Sequence, residues 1–293
     1  MLQTPCTIAL MAAQLVLTDA PAQPAAAPES PTAIVAAALP AASTESRATS
    51  RTERAESESA KSKYKFEDVE YKTRDKQMVH AAYFAPRKKG KAPAALLVHN
   101  AGGDSAALYS LADNLQRKGF AVLVPDLRGH GESITESCDW SKTTDAEAQM
   151  RLWNYSMRDL EASTEYLRDQ DQVHNANLSM VGVGAGSLLA ARYAIHDENA
   201  RAVVVIDPQD ESYGFNMGKD ITELGGLPVL IMATKEGRQV ALRIKGAAAD
   251  GNDGLDYVSV KSLKPKKDDD IFSDKRLAGE VTKFLREEAM PKR

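Results

Sequence analysis

The stretch Leu178-Ser-Met-Val-Gly-Val-Gly-Ala-Gly-Ser-Leu-Leu-Ala-Ala-Arg192 decides how this chain folds. An apolar run enters three alternating glycines, Gly182, Gly184 and Gly186, and leaves into an Ala/Leu-rich helical pattern. That order predicts a strand, a very sharp turn and a helix packed close against its own strand. Glycine suits such a turn because it accepts positive φ and lets two backbones approach where a Cβ would clash. Two chemistries use a loop of this form. One is a Gly-x-Ser-x-Gly nucleophile elbow, here with Gly184 at the serine position. The other is a phosphate-cradling Gly-x-Gly-x-x-Gly loop, here with Ser187 in place of the last glycine.

Working outward, Lys63 to Tyr71 and Met78 to Phe84 alternate polar and apolar residues around the turn Thr73-Arg-Asp-Lys76. This predicts an antiparallel hairpin. Ala94–Val98 and Phe120–Val124 are continuous apolar runs, the mark of strands buried on both faces. Between them Leu108, Leu111 and Leu115 share a helix face that Gly119 ends. Trp153, Met157, Leu160, Thr164 and Leu167 form a second helical stripe, read as core packing, and residues 134–152 before it are polar and irregular, at a place where a cap or lid could be inserted. Ala202–Ile206, Pro228–Met232 and Leu255–Val260 read as strands, with a Gly-rich loop reaching Gly226, a short helix over Val240–Ile244 and a terminal helix burying Leu277, Val281 and Phe284/Leu285. Strands alternating with helices give an α/β fold with a mostly parallel, doubly covered sheet and an antiparallel hairpin at its start.

The first sixty residues are of another kind. Thr7–Leu17 has the length of a signal-peptide apolar core, and Ala20-Pro-Ala22 offers small residues for cleavage, although no Lys or Arg precedes Arg47. Residues 1–22 are read as a signal peptide, so the protein is expected to be exported to the periplasm or the extracellular space. Residues 23–62, rich in Ala, Pro, Ser, Thr and Glu, have too little bulky apolar surface to offset chain entropy and read as a disordered linker. Residues 63–290 are left for one folded domain. The net charge of −4 with interspersed signs argues against nucleic acid, and no segment has the roughly eighteen apolar residues that span a bilayer. Cleavage of the leader removes Cys6 and leaves Cys138 alone, with no intramolecular disulfide.

From about Tyr64 to Met290 the order of elements resembles the α/β-hydrolase family. Three motifs carry the likeness: His99-Asn-Ala-Gly-Gly103, similar to an oxyanion turn after the third strand; Arg117-Lys-Gly-Phe-Ala-Val-Leu-Val-Pro-Asp-Leu-Arg-Gly-His-Gly-Glu-Ser133, similar to the fourth strand and its loop; and Val181–Gly186, similar to the elbow. The resemblance implies a serine hydrolase built on a nucleophile, a histidine and an orienting acid. It also implies a pocket around His99, Asn100, Ala101, Gly102, Gly103, Val183 and Ala185, with the amides of Ala101 and Ala185 as oxyanion donors and Asn100 tolerating a left-handed turn. The dinucleotide alternative retains Asp207 as a ribose-type acid, but its fingerprint normally opens a βαβ unit, and here about 115 residues of hydrolase-like sequence precede the glycines.

Position by position, the chain departs from the working pattern. Gly184 has no side chain, and Ser187 is set three residues on, in the first helical turn. Gly237 falls near the expected acid, leaving Glu236 and Asp207 as orienting acids. The loop Lys261–Asp270, where the base is expected, holds no histidine, and the last histidine of the chain is His196. His99 and His130 occupy positions that the resemblance makes structural; His80 and His174 carry no signal. No His/Cys/Asp/Glu cluster has metal-ligand spacing, and Lys266-Lys-Asp-Asp-Asp270 reads as a solvated loop, so neither a metal nor a cofactor is expected. The expectation is an α/β-hydrolase-like pseudoenzyme with a degenerate triad that binds a small molecule or a protein at the vestigial pocket. An ester hydrolase using Ser187 or Ser105 with His99 or His130, and a nucleotide-binding module, are the alternatives.

Overall fold

The computed structural model describes residues 63–250, 257–265 and 271–289. The expected signal peptide (1–22), the linker (23–62), the first two residues of the last expected strand (255–256) and the tract 266–270 lie outside the described residues.

Eight strands form one sheet: β1 Glu67–Lys72, β2 Met78–Phe84, β3 Ala92–Val98, β4 Ala121–Pro125, β5 Val173–Val183, β6 Ala200–Ile206, β7 Val229–Ala233 and β8 Val258–Ser262. Their spatial order is β1-β2-β4-β3-β5-β6-β7-β8. β1 pairs antiparallel with β2, and β2 antiparallel with β4; every later pairing is parallel. The sheet is therefore mixed in the way the sequence predicts. The tight turn between β1 and β2 is closed by the amide of Lys76 on the Thr73 carbonyl at 2.8 Å, with Lys76 itself at φ 66°.

Parallel strands need crossovers, and helices supply them on both faces. One face carries α1 Tyr109–Arg117 and α7 Lys275–Glu288; the other carries α2 Ala146–Tyr155, α3 Met157–Arg168, α4 Gly186–His196, α5 Met217–Glu223 and α6 Arg238–Asp250. The period of two in the strands sorts their apolar side chains between these layers. Leu97, Val122, Val124, Val181 and Val204 meet Leu111, Leu115, Leu277 and Val281 on the first face. Leu96, Val98, Leu123, Met180 and Val203 meet Leu160, Leu188, Ile221 and Ile244 on the second. All seven residues of β3 are buried, as its unbroken apolar run predicts.

Three local readings change. The polar stretch 134–152 is not wholly irregular: Trp140–Lys142 forms a 3-10 turn, and α2 begins at Ala146, capped by the Asp145 carboxylate on the amide of Ala148. The stripe from Trp153 to Leu167 is divided between α2 and α3 at Ser156. The supposed Gly-rich loop before Gly226 contains a two-residue ribbon, Glu211–Ser212 with Phe215–Asn216, and then α5, whose first turn is capped by Asn216 on the amide of Lys219. Met217 and Ile221, one turn apart, anchor α5 in the core and outweigh the glycine at 218.

Candidate functional site

The carboxyl ends of β3 to β7 lie side by side at one edge of the sheet, the place where open α/β sheets bind ligands. Its centre is the elbow. Gly182 of β5 stands in register with Val98 of β3 on one side and Val205 of β6 on the other. The Gly184 amide extends the ladder to the Ile206 carbonyl at 2.9 Å, the backbone turns through φ 54° at Gly184, and α4 begins two residues later. Each glycine has its own steric reason. A Cβ on Gly182 would lie 2.4 Å from Ser187 Cα, and one on Gly186 would lie 2.2 Å from the His99 carbonyl oxygen. These two permit strand, turn and helix backbones to touch.

Gly184 differs, because what crowds it is a side chain. A Cβ there would lie 2.3 Å from Asn100 Oδ1 and 2.7 Å from Asn100 Cγ. The same Oδ1 accepts a 2.8 Å hydrogen bond from the amide of Ala185. The Ala185 donor, expected to face a ligand, is therefore taken by the protein's own carboxamide. The turn after β3 holds Asn100 in place: the Gly103 amide bonds to the Asn100 carbonyl at 3.0 Å, and Gly102 carries the positive φ of 76°. The left-handed residue of this turn is thus Gly102, not Asn100, since glycine takes that conformation at no Cβ cost.

Both nearby imidazoles are structural. His99 is buried; its Nδ1 faces the Asn100 carbonyl at 2.7 Å and its Nε2 accepts from the Leu127 amide at 3.0 Å. His130 places Nδ1 3.0 Å from the Arg128 carbonyl and accepts from the Gly102 amide at 3.1 Å through Nε2. In both rings the acceptor is Nε2, so Nδ1 carries the proton and the ring is neutral. Burial pushes their pKa values down, to about 4 for His99 and about 3 for His130, where proximity to His99 adds to the effect. No hydroxyl bonds to either ring, so neither has a nucleophile to activate.

The loop Asp126–Ser133 clamps this turn to the rest of the fold, a role the sequence motif did not disclose. Asp126 accepts from the amides of Ser105 at 2.7 Å and Glu132 at 3.0 Å, and burial pushes its pKa up to about 6. Arg128 pairs with fully buried Asp159 through Nη2 at 2.7 Å and with Asp75 through Nη1 at 2.8 Å. The guanidinium holds the Asp75 carboxyl well below the usual carboxylate range. Trp140 lies over the turn, its Nε1 3.5 Å from where a Gly102 Cβ would stand, and stacks on His130 with ring centroids 4.9 Å apart. Trp140 is thus the residue of segment 134–152 that packs against the oxyanion turn.

On the other flank Asp207 ends β6 at φ 46°, and its Oδ1 accepts from Thr234 Oγ1 at 3.0 Å. A Cβ on Gly237 would lie 2.4 Å from that oxygen. The carboxylate of Asp207 thus fills the space beside Gly237, while Glu236 is exposed. Val183 is half-buried against Ile206 and Ala101 is half-buried in the turn. Ser187 is completely buried with no protein partner for its hydroxyl, and Ser105 Oγ sits 3.1 Å from the Tyr109 hydroxyl. Among the described residues, no group of three or more His, Cys, Asp or Glu is arranged to hold a metal ion, and no helix is long and apolar enough to cross a membrane.

The family model for the α/β hydrolase fold matches residues 93–222, from β3 through the elbow to α5. An acyltransferase of Aspergillus calidoustus, drtE, is 28% identical over 156 residues, covering 52% of this chain and 46% of its own length. The chain thus spans about half the length of the curated relative it matches. Among solved structures, the α/β hydrolase GrgF of Penicillium sp. sh18 superposes with a TM-score of 0.60 at 12% identity, over 77% of this chain and 99% of that one. A Pyrococcus furiosus esterase does so at 0.58 and 15%, over 80% and 94%. Dienelactone hydrolase from Anabaena variabilis gives 0.58 and 15%, over 77% and 99%. At these identities the structural likeness is one of fold. The strand order, the elbow and the family match agree that the chain has the α/β-hydrolase fold.

Proposed function

We propose that this chain is a non-catalytic member of the α/β-hydrolase superfamily that binds a small molecule or a protein above the elbow. One observation carries the reading. The Asn100 carboxamide lies against Gly184, where a nucleophile would emerge, and accepts the Ala185 hydrogen bond that would otherwise hold an oxyanion. Acyl transfer, the chemistry in the name of the Aspergillus relative, needs a nucleophile with an imidazole in reach. The elbow presents glycine, Lys261–Asp270 holds no histidine, and His99 and His130 spend both ring nitrogens on backbone groups. In a well-studied serine protease, loss of the nucleophile alone costs about a millionfold in turnover. The residue of roughly a thousandfold over water left there depends on oxyanion donors, one of which is engaged here. Residues 1–22 are proposed as an export leader; the N-terminus of the mature secreted protein would begin near residue 23, and retention of Met1 on exported protein overturns this.

The test uses the purified full chain with a fluorophosphonate probe, read by intact mass, and with a panel of short aryl esters. No adduct and no turnover above buffer are expected. An adduct abolished by Ser187→Ala or Ser105→Ala would overturn the reading and establish a hydrolase with displaced groups. The phosphate-loop alternative is disfavoured because Gly182 and Gly186 are required by backbone packing and the Ala185 amide is occupied. Saturable dinucleotide binding by calorimetry would restore it.

A further inference from the structure

The chain has two tryptophans, and the fold brings both to the same place. Trp140 and Trp153 lie with ring centroids 5.6 Å apart, and Tyr213, from the ribbon after β6, closes the group at 5.6 Å from Trp140 and 5.7 Å from Trp153. Trp153 is completely buried, yet its indole Nε1 has no protein acceptor. An unpaired buried donor costs about 1–3 kcal/mol, and native interiors retain few of them. The other two rings are half-exposed and stand on small supports. Trp140 opens a three-residue 3-10 turn, and Tyr213 sits at φ 51° beside Gly214 at φ 82° in the tip of the two-residue ribbon. The group therefore has a buried indole donor with no protein acceptor, beneath two half-exposed rings of which Trp140 also stacks on His130. It adjoins Gly102 of the oxyanion turn.

We propose that Trp140, Trp153 and Tyr213 form a binding site for a flat aromatic ligand bearing one hydrogen-bond acceptor, which stacks in the cluster and takes the Trp153 indole N–H. The inference rests on the binding reading above and names the ligand class for it. Aromatic faces supply sequence-tolerant stacking, and the orphan N–H supplies the polar selection. A quaternary ammonium, the other guest that aromatic clusters attract, leaves this donor unpaired and is disfavoured.

The ¹⁵N-labelled full chain shows two indole N–H resonances, assigned by the loss of one in Trp140→Phe. Titration with acetophenone is expected to shift the Trp153 indole resonance saturably. Ethylbenzene, the same shape without the carbonyl, is expected to bind roughly five- to tenfold more weakly, the effect of about one hydrogen bond. Tyr213→Ala, a change at a half-exposed ribbon position, is expected to weaken acetophenone to a similar degree. A Trp153 resonance that stays in place at millimolar acetophenone, or equal affinity for the two compounds, overturns the proposal. Acetophenone has no scissile ester, so this outcome is independent of the fluorophosphonate test. An adduct there with acetophenone binding intact removes the non-catalytic reading and leaves the site.

Discussion

Restoring a serine at the elbow is the sharpest perturbation of the contact between residues 100 and 184. In Gly184→Ser the new Cβ falls 2.3 Å from Asn100 Oδ1, well inside van der Waals contact, so the Asn100 side chain has to rotate away. Rotation breaks the 2.8 Å bond from the Ala185 amide. A net intramolecular hydrogen bond contributes about 1 kcal/mol. Holding a non-glycine residue at φ 54° costs about 1–2 kcal/mol more. Gly184→Ser is therefore expected to lose about 2–3 kcal/mol. Asn100→Ala loses the hydrogen bond alone, about 1 kcal/mol, because the freed amide reaches water beside an exposed position. The double variant loses that bond once, so it should fall about 2–3 kcal/mol, roughly 1 kcal/mol less than the sum of the singles. Urea unfolding at equal m-value reads this directly as midpoint shifts. Additivity within about 0.3–0.5 kcal/mol refutes the plug at Gly184. Ester turnover in the double variant should stay at the buffer rate, since no imidazole faces residue 184; turnover removed again by a His99 or His130 substitution refutes the second half of the reasoning.

Other expected outcomes follow from the same geometry. Arg128→Ala strands the fully buried Asp159 carboxylate and should cost about 3–5 kcal/mol by urea unfolding, with part recovered in Arg128→Ala/Asp159→Ala. Gly186→Ala puts a Cβ 2.2 Å from a backbone carbonyl and should cost more than about 3 kcal/mol, whereas Gly246→Ala in α6, which meets no atom within 4 Å, should gain about 0.5–1 kcal/mol. For pH, His99 and His130 have folded pKa values lowered to about 4 and about 3, so their stabilising effect is full above about 6.5 and is lost as pH falls through the acid range. Asp126 and Asp220, the latter fully buried in α5 beside Arg192, are raised by burial to about 6, so theirs is full below about 3.9 and is lost as pH rises through 6. Between about pH 6 and 4 two protons taken up on unfolding offset two released, and the unfolding free energy should be nearly flat. His130→Gln removes one of the first pair, so its stability should rise by about 1.4 kcal/mol per unit of acidification across that window; a fall would refute the assignment of neutral, buried imidazole.

The parts of this fold that were legible in the sequence are those in which neighbours along the chain share a face. The unbroken apolar runs of β3 and β4, the alternation of β1 and β2, and the glycines of the elbow each report their own surroundings. What was not legible depends on residues that meet from afar. Asn100 reads as a substituted glycine in a turn, and only the approach of β3 to β5 brings its carboxamide 85 positions along the chain to Ala185. Asp207 meets Gly237 in the same way, across the ends of β6 and β7. Two misses had a local signal. Asn216 followed by Met217, Ile221 and Leu224 is a cap and an apolar face, masked by Gly218, Gly225 and Gly226; Asp145 before Leu152 and Trp153 similarly announces α2. Trp140, alone in a polar segment, had no periodicity to place it.

The two glycines that depart from the catalytic pattern are each matched to a side chain from another loop. At Gly184 the partner is Asn100, and at Gly237 it is Asp207. The matches are mutual. The Asn100 carboxamide leaves no room for a Cβ at 184, and without it the Ala185 amide has no protein acceptor. Asp207, held left-handed at the end of β6, has its carboxylate oxygen where a 237 side chain would begin, and Thr234 bonds to that same oxygen. An elbow that had merely lost a hydroxyl would keep an open donor and an open acid subsite, ready to be repaired by one substitution. Here one substitution at 184 displaces Asn100 and breaks a hydrogen bond before it presents any nucleophile. A base would still have to be introduced into the Lys261–Asp270 loop. At Gly184 and Gly237, therefore, removing a catalytic side chain and filling its place are one change, and the buried polar groups left without a protein partner nearby are the Ser187 hydroxyl and the indole N–H of Trp153.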